Sequence, residues 1–238
     1  MNFFDTKLWN TVRNNKKLYG FIHNSIGLWI KNYRLRDRIR EMKTEGRSYI
    51  FEIDRLLANS NCIYFVDFGT LLGFIRKGKP LSWDYDIDFG ICLSECFQWT
   101  DLEKVMRDDG FQLVRQFSYH DIITEQTYRK NNLFVDFFSH FTELDSSHYY
   151  VYYEEKNYQY KDEMFRHARV TKTVKITDNI LYEVDGGKIH VPKEYEQYLE
   201  DVYGHDWRIP NPNWTVGSVP NITKMNDFGI MKEFEYKK

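Results

Sequence analysis

Asp86 and Asp88 alternate with apolar residues in the run Trp83-Asp84-Tyr85-Asp86-Ile87-Asp88-Phe89-Gly90. On an extended strand alternate side chains share a face, so the two carboxylates point together while Ile87 and Phe89 enter the core. Two neighbouring carboxylates repel unless a cation lies between them, and hard oxygen ligands beside a phosphate suit Mg²⁺, with Mn²⁺ as the alternative. A third acid, Asp136, stands between Val135 and Phe137 in a later apolar strand. That position is unfavourable unless the carboxylate is paired or binds a metal. Taken alone, an Asp-x-Asp pair is equally compatible with an exposed strand edge, so its neighbours decide the reading.

Upstream, Gly69 and Thr70 open a short helix that runs to Arg76, followed by a basic loop with Lys77, Gly78, Lys79 and Pro80. Backbone N–H groups at a helix start, with a hydroxyl beside them, suit phosphate oxygens. Arg76, Lys77 and Lys79 make this stretch basic, and the planar fork of Arg76 can grip two oxygens at once. Asp84 either hydrogen-bonds behind the site or shapes the turn, and Trp83 either stacks on a base or walls the core. The histidines show no metal-ligand spacing, and the three cysteines, Cys62, Cys92 and Cys96, read as reduced thiols rather than a disulfide framework.

A glycine followed by Ser or Thr at a helix start, then Asp-hydrophobic-Asp on one strand and a third Asp on another, resembles the nucleotidyltransferase superfamily. The 17 residues from Gly69 to Asp86 exceed the compact spacing of its best-known members. That longer form, GTLLGFIRKGKPLSWDYDIDFG, resembles the signature of the LicD family, which includes bacterial phosphocholine transferases and fukutin-related proteins. VDFF at 135–138 and HVPKEYEQYLEDVYGHDWRIPN at 190–211 extend the resemblance over roughly residues 48–212.

The resemblance implies Mg²⁺-dependent transfer of phosphocholine, phosphoglycerol or phosphoribitol from a CDP-linked donor to a sugar hydroxyl. The acceptor would be a surface glycan of the lipopolysaccharide, capsule or teichoic acid kind, and CMP would leave. Asp86 and Asp88 would bind the ion bridging the diphosphate, with Asp136 completing the metal site or taking the proton from the attacking hydroxyl. Gly69, Thr70, Arg76, Lys79, Trp83 and Asp84 would line the donor. The rival readings are transfer of a nucleoside monophosphate to a sugar, small molecule or protein, and an inactive member that binds a nucleotide or a partner.

Strands and helices must alternate to hold these groups. Apolar residues from Asp37 to about Ser60 follow a helical stripe, Cys62–Val66 and Asp86–Cys92 read as strands, and residues 95–110 read as a helix. Gln112–Phe117, Leu133–Phe141 and His148–Glu155 read as extended, and Lys193–Tyr203 as a helix ended by Gly204. The expected fold class is α/β or α+β, a nucleotidyltransferase-fold core with a mixed sheet flanked by helices. The expected domains are a basic helical segment 1–46, the catalytic domain 47–212 with a C-terminal helical block, and a tail 213–238.

With 238 residues, 42% apolar and 29% charged, the chain has the composition of a globular protein. The net charge of −2 conceals an asymmetry: residues 1–43 carry +7 and the remainder −9. That basic, aromatic segment either rests peripherally on an anionic membrane surface or packs as a helical pair. The acidic remainder argues against nucleic acid as a partner. No apolar run reaches the ~20 residues needed to cross a bilayer, and no signal-peptide pattern opens the chain, so a cytoplasmic location is expected.

Overall fold

The structure is a computed structural model, and it describes residues 33, 35–60, 62–156 and 158–237. Most of the basic segment 1–46, and with it the surface expected within 1–43 to touch a membrane, lies outside the described residues. Its last part is helical: residues 35–41 run through a π-helical turn, Met42–Gly46, into α1 (Arg47–Leu57). Gly46 permits the turn, since a Cβ there would collide with the Met42 thioether. Ile50, Ile53 and Leu57 form the buried stripe of α1.

The chain then gives β1 (Tyr64–Val66), α2 (Phe68–Lys77), β2 (Ile87–Cys92) and α3 (Trp99–Asp108). Strands β3 (Gln112–Tyr119), β4 (Ile122–Lys130), β5 (Leu133–Thr142), β6 (Ser146–Tyr153) and β7 (Phe165–Val174) follow. A separate hairpin of β8 (Asn179–Val184) and β9 (Gly187–Pro192) leads to α4 (Tyr195–Tyr203) and finally β10 (Ile222–Glu233). Eight strands pair in the order β1-β2-β5-β4-β3-β10-β7-β6, and an extra pairing of β6 with β5 turns the last six into a closed circuit. Only β2 with β5 is parallel. The fold is therefore α+β with a large mixed sheet flanked by helices, as the sequence implied.

The segment 213–238, read from the sequence as a tail, supplies β10, which lies between β3 and β7 inside the sheet. Its Asn226, Asp227 and Gly229 disguise a strand: the pairing with β7 is irregular between Lys224 and Phe228, and Gly229 is bare because the Tyr152 ring occupies the place of a side chain. Strand β4 is disguised differently, because Thr124, Glu125, Gln126 and Thr127 are all buried and so hide the usual apolar alternation. One core of Ile50, Phe65, Phe74, Phe89, Phe137, Tyr149, Tyr198 and their neighbours joins the helices to the sheet.

Candidate active site

One transverse rung of the sheet gathers the chemistry. Asp88 on β2 is paired with Asp136 on β5, Asp136 with Thr127 on β4, and Thr127 with Arg115 on β3. Residues opposite one another on adjacent strands present side chains on the same face, so these four groups stand in a row. Thr127 Oγ1 donates to Asp136 Oδ1, and Arg115 Nη2 lies 3.5 Å from that same oxygen and 3.2 Å from Glu125 Oε1. Arg115 reaches the row through a bulge. Leu113 pairs with Tyr128, yet Thr127 is met by Arg115 rather than Val114, and the one extra residue turns the guanidinium onto the acidic face.

The start of α2 is tied to the same strand. Asp67 N donates to Asp88 O at 2.9 Å, and Asp88 N donates to Thr70 Oγ1 at 2.9 Å. Asp67 is fully buried and caps the helix by accepting from Phe68 N at 2.7 Å. It is held in turn by the Tyr198 hydroxyl at 2.5 Å and by His140 Nε2 at 2.7 Å. Phe68 takes a left-handed φ of 37°, a strained conformation, and its ring is clamped edge-on by Phe138 and Tyr149, each centred 4.8 Å away. This turn sets Gly69 against the acids: a Cβ there would lie 3.3 Å from both Asp84 carboxylate oxygens and 3.6 Å from Asp88 Oδ2.

Burial and mutual repulsion dominate the electrostatics. Burial pushes the Asp84 carboxyl up to about 7. Asp86 and Asp88 are raised well above the usual carboxylate range, first by burial and then by the charges of their neighbours, Asp84 and Asp136 among them. Asp84 Oδ2 is buried with no hydrogen-bond partner. A cluster of hard oxygen ligands that disfavours its own ionisation fits a divalent cation, which would relieve both the burial penalty and the repulsion. As the side chains stand, no three His, Cys, Asp or Glu among the described residues are arranged to hold a metal ion, so gripping one requires rotamer movement.

The structure brings Gly69, Thr70, Asp84, Asp86, Asp88 and Asp136 together, and Arg76 is set apart along α2. Thr70 is fully buried with its hydroxyl engaged by Asp88 N, so it braces the strand instead of facing a ligand. Arg76 is seven residues along α2 from Gly69, roughly 10 Å at the helical rise, and Nη2 donates to Ile209 O at 3.2 Å. Burial lowers the Arg76 pKa, and the charge it feels is that of Tyr203. Lys79 is exposed on the loop, and Trp83 is 54% exposed, not part of the core.

Sequence reasoning missed two cations. Arg115 is one. Arg38, in helical residues 35–41, is the other: its guanidinium lies 3.7 Å from the centre of the Phe134 ring and 4.9 Å from that of Tyr85, and it feels the charges of Asp86 and Asp136. No local sequence signal marked either: the polar run Thr124-Glu125-Gln126-Thr127 proves buried, and paired with the strand of Arg115, only in the fold. Two surface cavities, about 650 Å³ beside Tyr158 and Tyr160 and about 700 Å³ beside Cys62 and Cys92, are lined by other residues than those of the site.

Residues 61–194, more than half of the chain, match the family described as LicD/FKTN/FKRP, nucleotidyltransferase domain. The chain is 24% identical over 180 residues to the ribitol-5-phosphate transferase FKTN of Macaca fascicularis and to that of Homo sapiens. Mus musculus FKTN is 23% identical over 173 residues. Each match takes in 72% of this chain and 35% of the relative, so the chain spans about a third of the length of the curated relatives it matches.

Proposed function

We propose that this chain, which belongs to the LicD/FKTN/FKRP nucleotidyltransferase family, transfers a phosphorylated alcohol from a CDP-linked donor to a sugar hydroxyl of a glycan. The observation that carries the reading is the cluster of four aspartates: Asp84 and Asp88 lie against the turn at Gly69, Asp136 is paired with Asp88, and Asp86 lies within the field of Asp84 and Asp136. Ribitol 5-phosphate is the first group to test, because the FKTN relatives are named for it, with phosphocholine and phosphoglycerol next.

The four aspartates would hold Mg²⁺ or Mn²⁺, and a bound ion would supply charge neutralisation at the diphosphate. The first-turn N–H group of Gly69 has no intrahelical acceptor and offers a donor to a phosphate oxygen. The acceptor oxygen attacks the phosphorus that carries the alcohol. A new P–O bond forms as the bond to the CMP oxygen breaks, and the hydroxyl proton passes to a carboxylate of the row. Asp136, held by Thr127 and Arg115, is placed to orient that hydroxyl or to complete the cation's ligands.

The test is incubation of the full chain with Mg²⁺ and, separately, CDP-ribitol, CDP-choline and CDP-glycerol, with glycan acceptors present. CMP release from one donor, abolished by Asp86→Ala and by EDTA, supports the reading. Pyrophosphate release with a nucleotide-bearing product would replace it with nucleoside monophosphate transfer. Among the described residues no helix is long and apolar enough to cross a membrane. Peripheral contact through the +7 segment is a separate proposal, tested by loss of liposome binding at low salt when residues 1–35 are deleted.

A further inference from the structure

An acidic row repels the donor's diphosphate unless cationic groups share the face, and of the two expected from the sequence Arg76 is engaged by Ile209 O while Lys79 is exposed on the loop. We propose that Arg38 and Arg115 together form the receptor for the phosphate groups of the donor, gripping them from both sides of Asp136. This rests on the phospho-alcohol transfer proposed above. Phe134 and Asp136 are two apart on β5 and share a face, so Arg38, seated on Phe134, flanks Asp136 along the strand. Arg115 flanks it across the rung, 3.5 Å from Oδ1. Both guanidiniums keep a buried Nε with no hydrogen-bond partner, as Arg76 does farther along α2.

The chemistry suits the task. A guanidinium stays charged at any relevant pH, and its rigid fork matches two phosphate oxygens. Arg115 Nη2 is shared between Glu125 and Asp136, whereas Arg38 lies over Phe134 and within the field of Asp86 and Asp136. Arg38 lies outside the family-matched stretch 61–194, in the helical end of the basic segment, which on this proposal contributes to the site itself.

The experiment measures binding of CDP, inorganic pyrophosphate and cytidine to the full chain by calorimetry, with EDTA and with Mg²⁺, for wild type, Arg38→Met, Arg38→Lys, Arg115→Met and Arg115→Lys. The expected result is ~10- to 100-fold weaker CDP and pyrophosphate binding for each Met variant, cytidine binding unchanged, and partial recovery with Lys. Arg115→Met leaves buried Glu125 and Asp136 unpaired and is vulnerable to misfolding, in which case Arg115→Lys and the Arg38 variants carry the test. Folded variants that bind CDP and pyrophosphate as tightly as wild type overturn the receptor, even if wild type releases CMP from a donor. Loss of CDP and pyrophosphate binding in the variants, with no CMP released by wild type, upholds the receptor and removes the proposed reaction.

Discussion

Asp84 makes the cation-free protein sensitive to pH in a direction that can be worked out. Its ordinary pKa is 3.8, and burial in the fold pushes it up to about 7. The folded state therefore binds this proton more tightly than the unfolded state, and the stability so gained is fully present below about 4 and lost as pH rises toward 7. At 1.36 kcal/mol for each pKa unit the loss has a ceiling of ~4 kcal/mol, and partial solvent access lowers the expected change to ~2–3 kcal/mol. Asp84→Asn keeps the shape and removes the titration. Urea unfolding of both proteins in EDTA across pH 4.5–8 should show the variant gaining ~2–3 kcal/mol on wild type as pH rises. Saturating Mg²⁺ at pH 8 should stabilise wild type, by ~2.7 kcal/mol at one hundred times its dissociation constant, and the variant less. A variant-minus-wild-type difference that stays flat across this range would refute the argument from burial.

Asp88→Asn should lower CMP release by ~10³-fold while leaving the thermal midpoint within a few degrees, as read by turnover and by calorimetry. Thr70→Val removes the acceptor of Asp88 N and should cost ~1–3 kcal/mol in urea unfolding, whereas Thr70→Ser should recover most of it. Gly90→Ala would place a Cβ 2.9 Å from Asp67 Oδ2 and into the Phe65 ring, so a loss of ~1–3 kcal/mol or more is expected by chemical denaturation. Tyr198→Phe withdraws one of the three donors to buried Asp67 and should destabilise by ~1–3 kcal/mol, with the midpoint of unfolding as the readout.

The acids were legible because their signal is local: alternation on one strand, a glycine at a helix start, an Asp inside an apolar run. So was the alternation of helix and strand that gives the fold class. Arg115 was not legible, because its position depends on a one-residue bulge that the pattern of Gln112–Tyr119 does not reveal. Arg38 was hidden by its charged neighbours, which made it look like one of many solvated cations. The surroundings of Arg76 were not legible either, because two turns of α2 carry it away from Gly69 and its partner Ile209 lies more than a hundred residues along the chain. Strand β4 escaped because its inward face is lined by polar residues that serve the row, and β10 because its turn-forming residues lie within a paired strand.

The placement of β10 also bears on how the chain is made. It follows every other strand in sequence yet lies between β3 and β7, separated from the end of β7 by about 50 residues. At ~5–20 residues per second of synthesis, β3 and β7 wait several seconds for the strand that joins them. Throughout that interval both expose unpaired backbone along one edge, which is where other chains add and aggregates begin. Yield from an expression host should therefore respond to translation speed between residues 175 and 233, and to the supply of chaperones that shield open edges, more than to changes on the finished surface.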